Sequence, residues 1–315
     1  MTARILFAGS GEFGLLALMA LRAAGHELAT VISQPDRPAG RGRQLAPTPI
    51  AQYALAQNLP LLRTADINAE SLPPADVMVV IAFGQKISPA VANSPRLGSM
   101  NLHSSLLPKC RGAAPINWTI IRGETITGNS IIRLADKMDA GHILAQSSLP
   151  VAELETAGEL HDRLAQDGAA LVVDTVRRLL EGAATETPQD HSQATIAPKL
   201  SRQNTLLDFA GKSAAELALQ IRGLYPWPGC RVRILDNAGQ PYARFTLVRV
   251  RPVPADSAHC DPGQLSAPGT ICVGPDDQAL EVLELQPEGR SVMTLSAYRN
   301  GHLWLPGMRL ESVLS

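Results

Sequence analysis

Three polar residues in the middle of the chain have the types and spacing to catalyse acyl transfer. Asn101 and His103 lie two positions apart in NLHSSLLPKCRGAAPINW, residues 101–118, and Asp139 follows in ADKMDAGHIL, residues 135–144. A side-chain amide and a histidine N–H can both donate hydrogen bonds to the oxyanion that develops during acyl transfer. A carboxylate can fix the imidazole tautomer and favour the charged ring. The three residues therefore predict a site that stabilises a tetrahedral oxyanion.

The same stretch contains no obvious activated nucleophile. Ser105 and Cys110 have no recognisable base partner in the sequence, and a nucleophilic serine or cysteine needs such a base. Direct attack by an amine is therefore favoured over a covalent acyl-enzyme. The alternative is structural, because an Asn-x-His pair also serves as a capping or turn pair and Asp139 in DAG also fits a turn. Spacing alone leaves both interpretations open.

The elements that must position these residues alternate along the first 180 positions. Periodicity predicts strands at residues 4–8, 27–33, 76–82, 98–103, 130–134 and 142–149, and helices at residues 12–24, 50–57, 115–122 and 156–180. This alternation predicts a doubly wound α/β domain with a Rossmann-like, mostly parallel sheet. Asn101 and His103 fall at one strand end, where their spacing puts both side chains on one face. Ligands of open α/β sheets bind beyond such strand ends, so the placement fits a site.

The regular periodicity of the sequence ends near Gly182. A stretch with little periodicity follows, and it predicts a linker. Beyond it, one helix is predicted at residues 213–222, and short strands at residues 230–235, 245–250, 269–273, 280–285 and 292–295. We therefore expect a first domain over residues 1–188, a linker over 189–206 and a smaller β-barrel domain over 207–315.

Composition limits the class of protein. The chain has 315 residues, of which 45% are apolar and 18% are charged, and its formal net charge is −1. This overall charge does not indicate a nucleic-acid binder, although a local basic patch stays possible. The four cysteines show no zinc-type spacing, which favours a reducing compartment and no metal site. With no apolar run of membrane length, we expect a soluble cytoplasmic protein.

A glycine motif near the start suggests a different function. Gly9, Gly11 and Gly14 in AGSGEFG fit the G-x-G-x-x-G pattern of a dinucleotide-binding turn, and Asp36 lies near the expected offset of a ribose-binding carboxylate. Asp36, however, lies among prolines and arginines beyond the strand, whereas a ribose clamp needs a carboxylate at the strand end. A tight, closely packed turn is therefore favoured over a nicotinamide enzyme.

A longer resemblance supports the acyl-transfer interpretation. The segment NLHSSLLPKCRGAAPI resembles the signature of the formyltetrahydrofolate-dependent formyltransferases, and DVMVVIAFG and DKMDAGHIL are similar to further family segments in order and spacing. The resemblance implies that Asn101, His103 and Asp139 are catalytic. It also implies 10-formyltetrahydrofolate as co-substrate, without a metal or NAD. The residues that it implies in folate contact are Ser105, Leu106, Leu107 and Pro108.

A second segment resembles one branch of that family. SQPDRPAGRGRQL, residues 33–45, is similar to a loop in the members whose acceptor is the methionine of initiator methionyl-tRNA. The resemblance implies that Arg41 is critical for tRNA contact, with Arg37 and Arg43 nearby. Arginines on a Gly/Pro-rich loop can bind phosphates and follow an RNA end. A solvated surface loop is the alternative interpretation.

The C-terminal part resembles the same branch. LYPWPGCRVRI, residues 224–234, is similar to the start of its OB-like barrel domain. Between Tyr225 and Pro254, one acidic residue, Asp236, stands against five basic residues: Arg231, Arg233, Arg244, Arg249 and Arg251. Basic residues on a small barrel could follow an RNA backbone. A solvated strand face explains them equally well.

The resemblance as a whole implies transfer of a formyl group from 10-formyltetrahydrofolate to the α-amine of initiator methionyl-tRNA, by a monomer. Some positions depart from the family pattern: Cys110 stands where tryptophan is frequent, His142 stands where an acid is common, and AGSGEFG replaces an AGTPDF-like turn. Because those relatives use no nicotinamide, the glycine match is interpreted as incidental. The open alternatives are formyl transfer to a sugar nucleotide or other small amine, a nicotinamide oxidoreductase, and a non-catalytic RNA-binding module.

Overall fold

The computed structural model describes residues 1–39, 44–255, 260–266, 269–275 and 277–314. The chain divides into two compact units, and each unit is built from separate segments. The first contains Met1–Pro115, Ile126–Leu149 and His161–Ala197, and the second contains Ile116–Thr125, Pro150–Leu160 and Pro198–Ser315. The domain boundaries expected at residues 188 and 206 stay a prediction.

Strands and helices alternate in the first two thirds of the chain. The strands are β1 (Arg4–Gly9), β2 (Glu27–Ser33), β3 (Arg37–Ala39), β4 (Gln44–Ala46), β5 (Leu61–Arg63), β6 (Val77–Ile81), β7 (Ser99–His103), β8 (Arg111–Gly112), β9 (Ile126–Thr127), β10 (Ser130–Arg133), β11 (Ile143–Gln146), β12 (Leu149–Pro150) and β13 (Ile196–Ala197). The helices are α1 (Leu15–Ala23), α2 (Pro49–Ala56), α3 (Pro89–Ala92), α4 (Pro115–Ile121) and α5 (Ala157–Leu180). Single 3₁₀ turns lie at Glu12–Gly14, Ile67–Ala69, His191–Gln193 and Arg202–Thr205.

A seven-stranded sheet forms the centre of the first unit. Its strand order is β11-β10-β7-β6-β1-β2-β5. The pairs from β7 to β5 are parallel, and β10 is antiparallel to both β7 and β11. All five residues of β6, VMVVI, are buried, as expected for a parallel strand covered on both faces. The predicted doubly wound, mostly parallel sheet is confirmed.

Strand β7 lies between a parallel and an antiparallel neighbour. Asn101 is opposite Val80 of β6 on one side and Ile132 of β10 on the other. His103 ends the strand opposite Ser130. Because side chains alternate along a strand, Asn101 and His103 lie on one face, at the carboxyl end of β7.

The glycine turn after β1 serves close packing. A Cβ on Gly9 would lie 2.9 Å from a ring carbon of Phe7 and 3.0 Å from the Ile81 carbonyl oxygen. A Cβ on Gly14 would lie 3.2 Å from the Cβ of Ile81. These contacts support the packing interpretation of the motif, since the turn leaves no room for side chains there.

Asp36 forms an ion pair with Arg63. Its two carboxylate oxygens accept hydrogen bonds from Nη1 of Arg63 at 2.9 and 3.0 Å. A ribose hydroxyl would have to compete with this ion pair for the carboxylate. The pairing therefore weakens the interpretation of Asp36 as a ribose clamp.

The longest helix, α5, has one apolar side. Its buried residues recur at helical spacing: Leu160, Leu164, Ala165, Ala169, Val172, Val176 and Leu179. Glu159 in the first turn and Arg177 and Arg178 in the last turn complement the helix dipole. Such a helix covers a core with one face and meets water with the other.

Within the described ranges, no helix combines the length and the apolar character needed to cross a membrane.

The second unit contains a curled antiparallel sheet, a half-barrel. Its elements are α6 (Ala214–Leu224), β14 (Cys230–Leu235), β15 (Pro241–Pro254), β16 (Thr270–Cys272), β17 (Gln278–Pro287), β18 (Met293–Thr294), α7 (Leu295–Arg299) and β19 (Arg309–Ser312). The strand order is β16-β17-β15-β14-β19, with β18 paired to β17. An aromatic cluster of Phe245, Tyr298 and Trp304 lies in its core. The predicted smaller β domain is confirmed as this open, curled sheet.

Two of the four cysteines form a disulfide. Cys260 and Cys272 are bonded across a Cα separation of 6.1 Å, a pairing that their spacing did not indicate. Cys110 and Cys230 are buried and form no disulfide. Burial raises the pKa of the Cys230 thiol to about 12, so this group stays a protonated, unreactive thiol at neutral pH.

Asp76, just before β6, joins two parts of the first unit. Its carboxylate accepts hydrogen bonds from the backbone N–H of Arg4 at 2.9 Å and from Nε of Arg96 at 3.0 Å. The Arg4 N–H, together with the Arg96 guanidinium, holds the pKa of Asp76 below its usual value, against the opposing effect of partial burial. Because the folded pKa is depressed, this stabilisation is present above the unfolded pKa, about 3.9, and is lost as pH falls through the folded pKa.

We therefore expect Asp76→Asn to lower the free energy of unfolding by about 1–2 kcal/mol at pH 7, because charge-assisted hydrogen bonds are lost. The difference from wild type should shrink progressively below about pH 4. Urea denaturation at a series of pH values measures it. The control is Asp174→Asn, which removes an exposed pair with Arg177 and should leave the stability almost unchanged. If the free energies of unfolding of wild type and Asp76→Asn differed by the same amount at every pH, this would contradict the expectation.

Candidate active site

His103 is buried at the end of β7, with both ring nitrogens facing protein acceptors. Its Nε2 lies 2.9 Å from the carbonyl oxygen of Cys110. A carbonyl only accepts hydrogen bonds, so Nε2 carries a proton. Its Nδ1 lies 3.7 Å from Oδ2 of Asp139, an ion-pair distance rather than a hydrogen bond. A ring N–H can therefore reach a ligand only when one of these two contacts is exchanged for it.

Cys110 adopts a backbone conformation that side-chain-bearing residues seldom use. Its φ is 57°, in the left-handed region. Its N–H donates to Oγ1 of Thr195 at 2.9 Å, and its carbonyl accepts from His103. The loop after β7 is thus held on two sides where it meets the imidazole.

Asn101 presents its side chain two positions before the imidazole, on the same strand face. The residue is half-buried. Its carboxamide makes no hydrogen bond to another residue in the described part of the chain. A half-buried, unpaired amide is available as a donor to a ligand that enters at this strand end.

Asp139 lies in the loop between β10 and β11, also in the left-handed region, with a φ of 53°. Its Oδ2 accepts a hydrogen bond from the backbone N–H of Gly112 at 2.8 Å. Two residues later, a Cβ on Gly141 would lie 1.8 Å from the carbonyl oxygen of Arg133, so the loop closes onto β10 without space for a side chain. The structure therefore brings Asp139 and His103 together, and Asn101 lies two positions before His103 on the same face of β7.

The loop that carries Ser105 is pinned by hydrogen bonds. Ser105 Oγ donates to the Lys109 carbonyl at 2.7 Å, and its own carbonyl accepts from Ser130 Oγ at 2.6 Å. Leu107 N donates to Ser130 Oγ at 3.0 Å, and the Leu107 carbonyl accepts from Nε2 of Gln146 at 3.0 Å. The conformation of this loop is thus set by β10 and β11 before any ligand binds.

The four residues expected to contact folate differ in exposure. Ser105 and Leu107 are buried, whereas Leu106 and Pro108 are half-buried. The peptide bond between Leu107 and Pro108 is cis. Because the Ser105 hydroxyl is committed to the loop itself, Leu106 and Pro108 supply the side-chain surface that a ligand could touch.

The arginine loop falls only partly within the described chain. Arg37 is exposed on β3, which pairs with β4, and its Nη2 donates to Oε1 of Gln34. Gln34 in turn donates to the carbonyl of Phe83 at 2.7 Å. Arg41 and Arg43 lie outside the described residues, so their predicted role stays a prediction.

The five arginines between Tyr225 and Pro254 differ in whether a carboxylate neutralises their charge. Three of the five are paired with carboxylates: Arg233 with Glu311, Arg249 with Glu159 and Glu284, and Arg251 with Glu281. Arg231 and Arg244 are exposed, and neither makes an ion pair with a described residue. Arg244 is opposite Arg233, and Arg231 lies two positions before Arg233, so these residues share one sheet face. Among these five arginines, Arg231 and Arg244 are therefore the two whose charge no described carboxylate neutralises.

No metal centre is apparent where the structure is described: no three His, Cys, Asp or Glu side chains there are grouped as ligands. The donors at the end of β7 instead match a carbonyl-type group, because an amide and an imidazole N–H can stabilise its developing negative charge. The arrangement is suited to acyl transfer between a ligand bound here and an attacking amine.

Sequence reasoning missed the residues that hold Asp139 from outside its own loop. Nε2 of Gln189 donates to the carbonyls of Asp139 at 2.8 Å and of Gly141 at 2.7 Å. Nearby, β13 pairs with β8. Gln189 and β13 lie in the aperiodic stretch that is interpreted as a linker. Their contacts arise only after folding, so no local spacing in the sequence signals them.

Comparison with known families places both halves of the chain. A model of "Formyl transferase" matches residues 3–176, and a model of "Formyl transferase, C-terminal domain" matches residues 199–303. Among curated relatives, the methionyl-tRNA formyltransferase of Thiobacillus denitrificans is 40% identical, over 98% of this chain and 99% of the relative. That of Acidobacterium capsulatum is 38% identical over the same shares.

Solved structures share the fold at lower identity. WlaRD, a sugar 3N-formyl transferase solved in the presence of dTDP and 5-N-formyl-THF, matches with a TM-score of 0.66 and 16% identity, over 92% of this chain and 100% of that one. HypX from Aquifex aeolicus in complex with tetrahydrofolic acid matches with a TM-score of 0.61 and 16% identity, over 95% of this chain and 47% of that one. At these identities the matches establish the fold alone.

Proposed function

The chain belongs to the formyl transferase family, and from this premise we propose that it transfers the formyl group of 10-formyltetrahydrofolate to the α-amino group of initiator methionyl-tRNA, a step that enables translation initiation. The curated relatives with this activity in their names match nearly the whole chain. The structural observation that carries the proposal is the convergence of Asn101, His103 and Asp139 at the end of β7.

The reaction exchanges one C–N bond for another. The neutral α-amine of methionine attacks the formyl carbon, a new C–N bond forms, and the formyl oxygen becomes an oxyanion. Collapse of this intermediate breaks the bond from the formyl carbon to N10 of the folate. The amine loses a proton and N10 gains one, so atoms and charge balance. The site must therefore stabilise an oxyanion and move a proton.

The three residues divide this work. Asn101 donates its free amide N–H to the oxyanion. His103 donates a ring N–H, which requires exchange of its contact with Cys110 or Asp139 for the formyl oxygen. Asp139, held by the Gly112 N–H, pairs with the imidazole across 3.7 Å and helps a water molecule carry the proton away from the amine.

Folate binding is assigned to the loop after β7. The exposed sides of Leu106 and Pro108 offer apolar contact, while Ser105 and Leu107 contribute through the shape of the loop. Structural neighbours solved with tetrahydrofolic acid or 5-N-formyl-THF support a folate ligand. The protein acts in this proposal as a cytoplasmic monomer, and its tRNA contacts include Arg37, Arg41 and Arg43.

The test is a formylation assay with methionyl initiator tRNA beside methionyl elongator tRNA, with 10-formyltetrahydrofolate as donor. We expect formylmethionyl product on the initiator form. Arg41→Ala should lower catalytic efficiency on the tRNA and leave the folate Kd nearly unchanged. Absence of product on the initiator tRNA, or turnover only with a sugar nucleotide or another small amine, would overturn the proposal, and so would RNA binding without folate-dependent turnover.

Arg231 and Arg244, which form no ion pair with a described residue, give a separate expectation. Replacing Arg231 and Arg244 together with glutamine should reduce the slope of log Kd for tRNA against log salt concentration by about 1 to 2, because each phosphate contact contributes about 0.7–0.9. The matched control replaces Arg233 and Arg251, whose guanidinium groups are already bound by glutamates, and should change the slope much less. Filter-binding titrations at several salt concentrations measure it, and equal changes in both double variants would refute the distinction.

A further inference from the structure

The side chain of Gln189 uses its entire hydrogen-bonding capacity beside the candidate active site. Its Nε2 donates to the carbonyls of Asp139 and Gly141 at 2.8 and 2.7 Å. Its Oε1 accepts from Nε and Nη2 of Arg111 at 3.1 and 2.6 Å. The residue is only 7% exposed, so these bonds are shielded from water.

Only a carboxamide fits these four bonds. The two carbonyls can only accept and the guanidinium can only donate, so the side chain between them must both donate and accept. A glutamate would direct oxygen lone pairs at the carbonyls, and an apolar side chain would leave buried groups on both sides unpaired. The chemistry of the surroundings therefore specifies glutamine at this position.

These bonds complete a closed ring of contacts around Asp139. The backbone carbonyl of Asp139 is held by Gln189, and its carboxylate is held by the N–H of Gly112. Gly112 is the direct chain neighbour of Arg111, which is itself bound to Gln189. The ring thus ties the loop of Asp139 to the loop whose Cys110 carbonyl contacts His103.

We propose that Gln189 is a positioning residue for formyl transfer, which fixes Asp139 against the imidazole of His103. It touches no reacting atom and acts through the loop of Asp139. This inference rests on the proposed function, because it assigns Asp139 its role in that reaction. Loss of the clamp lets the carboxylate move, and a displacement of about 1 Å can cost about 10² in rate.

The test compares Gln189→Met and Gln189→Glu with the matched control Gln193→Met. Gln193 lies on the same segment, exposed, and its amide donates to Asp190. We expect both Gln189 variants to lower kcat by about 10- to 100-fold, with the KM for folate within about twofold of wild type, and the control to keep wild-type kcat. A Gln189→Glu variant with normal kcat would overturn the proposal, because glutamate keeps the bond to Arg111 but cannot donate to the two carbonyls.

A double-mutant cycle separates positioning from general structural damage. If Gln189 acts through Asp139, Gln189→Met should cause no further loss of kcat in an Asp139→Ala background. Losses that multiply would overturn the proposal. A crystal structure of Gln189→Met gives a readout independent of turnover: the separation of Asp139 Oδ2 from His103 Nδ1, 3.7 Å in the native chain, should change, and an unchanged separation would also overturn it. Wild-type protein without formyl transfer would instead contradict the proposed function.

Discussion

We expect His103→Ala to lower kcat for formyl transfer by about 10²–10³, because a donor to the oxyanion would be lost at a cost of about 3 kcal/mol. The folate Kd should change much less, since the surface offered by Leu106 and Pro108 is unaltered. Asn101→Ala and Asp139→Ala should each cause losses of the same order. Single-turnover formylation of initiator methionyl-tRNA at saturating folate measures the chemical step directly.

The matched control for this experiment is His142→Ala. His142 lies on the same loop as Asp139, but its exposed ring faces Glu186 at 3.4 Å and lies outside the proposed chemistry. It should retain turnover within about twofold of wild type, as expected for a surface substitution. Folded His103, Asn101 and Asp139 variants with near-normal turnover would show that the proposed mechanism is wrong.

The framework of the site could be predicted because it depends on local patterns. The continuous apolar run of β6 indicated a strand buried on both faces, and the structure has it at Val77–Ile81. The two-residue spacing of Asn101 and His103 predicted a shared face, which β7 provides. Period and composition act over a few residues, so they survive in the sequence alone.

The contacts that complete the site could not be predicted, because they join residues far apart in the chain. Asp139 meets Gly112 across 27 positions and Gln189 across 50, and Cys110 meets Thr195 across 85. No periodicity encodes such pairs, and the stretch that contains Gln189 lacks any periodic pattern. Its importance arises only when the folded sheet brings the loops together.

The basic character of the second unit shows the same limit. Counting charges between Tyr225 and Pro254 gave five arginines against one acid. In the folded sheet, acidic residues from another strand lie beside these arginines. Arg249 is opposite Glu284, and Arg251 is opposite Glu281. Charge counted along a segment therefore overstates the free charge on a sheet, where partners come from neighbouring strands.

Gly141→Ala should abolish most of the activity without touching a proposed catalytic group. The added Cβ would lie 1.8 Å from the carbonyl oxygen of Arg133, which is backbone of β10 and cannot swing aside. The loop must therefore shift, which breaks the Gln189 clamp on the Gly141 carbonyl and displaces Asp139. We expect kcat to fall by about 10² or more, with a lowered Tm, in formylation and thermal-unfolding assays.

The matched control is Gly301→Ala, since no heavy atom of the described residues, apart from the direct chain neighbours, lies within 4 Å of the Cβ that would be added there. It should leave kcat unchanged and Tm almost unchanged. The clash also predicts how the damage divides: because the loop after β7 is pinned separately by Ser130 and Gln146, folate binding should survive in Gly141→Ala while turnover does not. A Gly141→Ala enzyme with full turnover would mean that the loop of Asp139 can move without chemical consequence, and the carboxylate would then have no part in moving the proton.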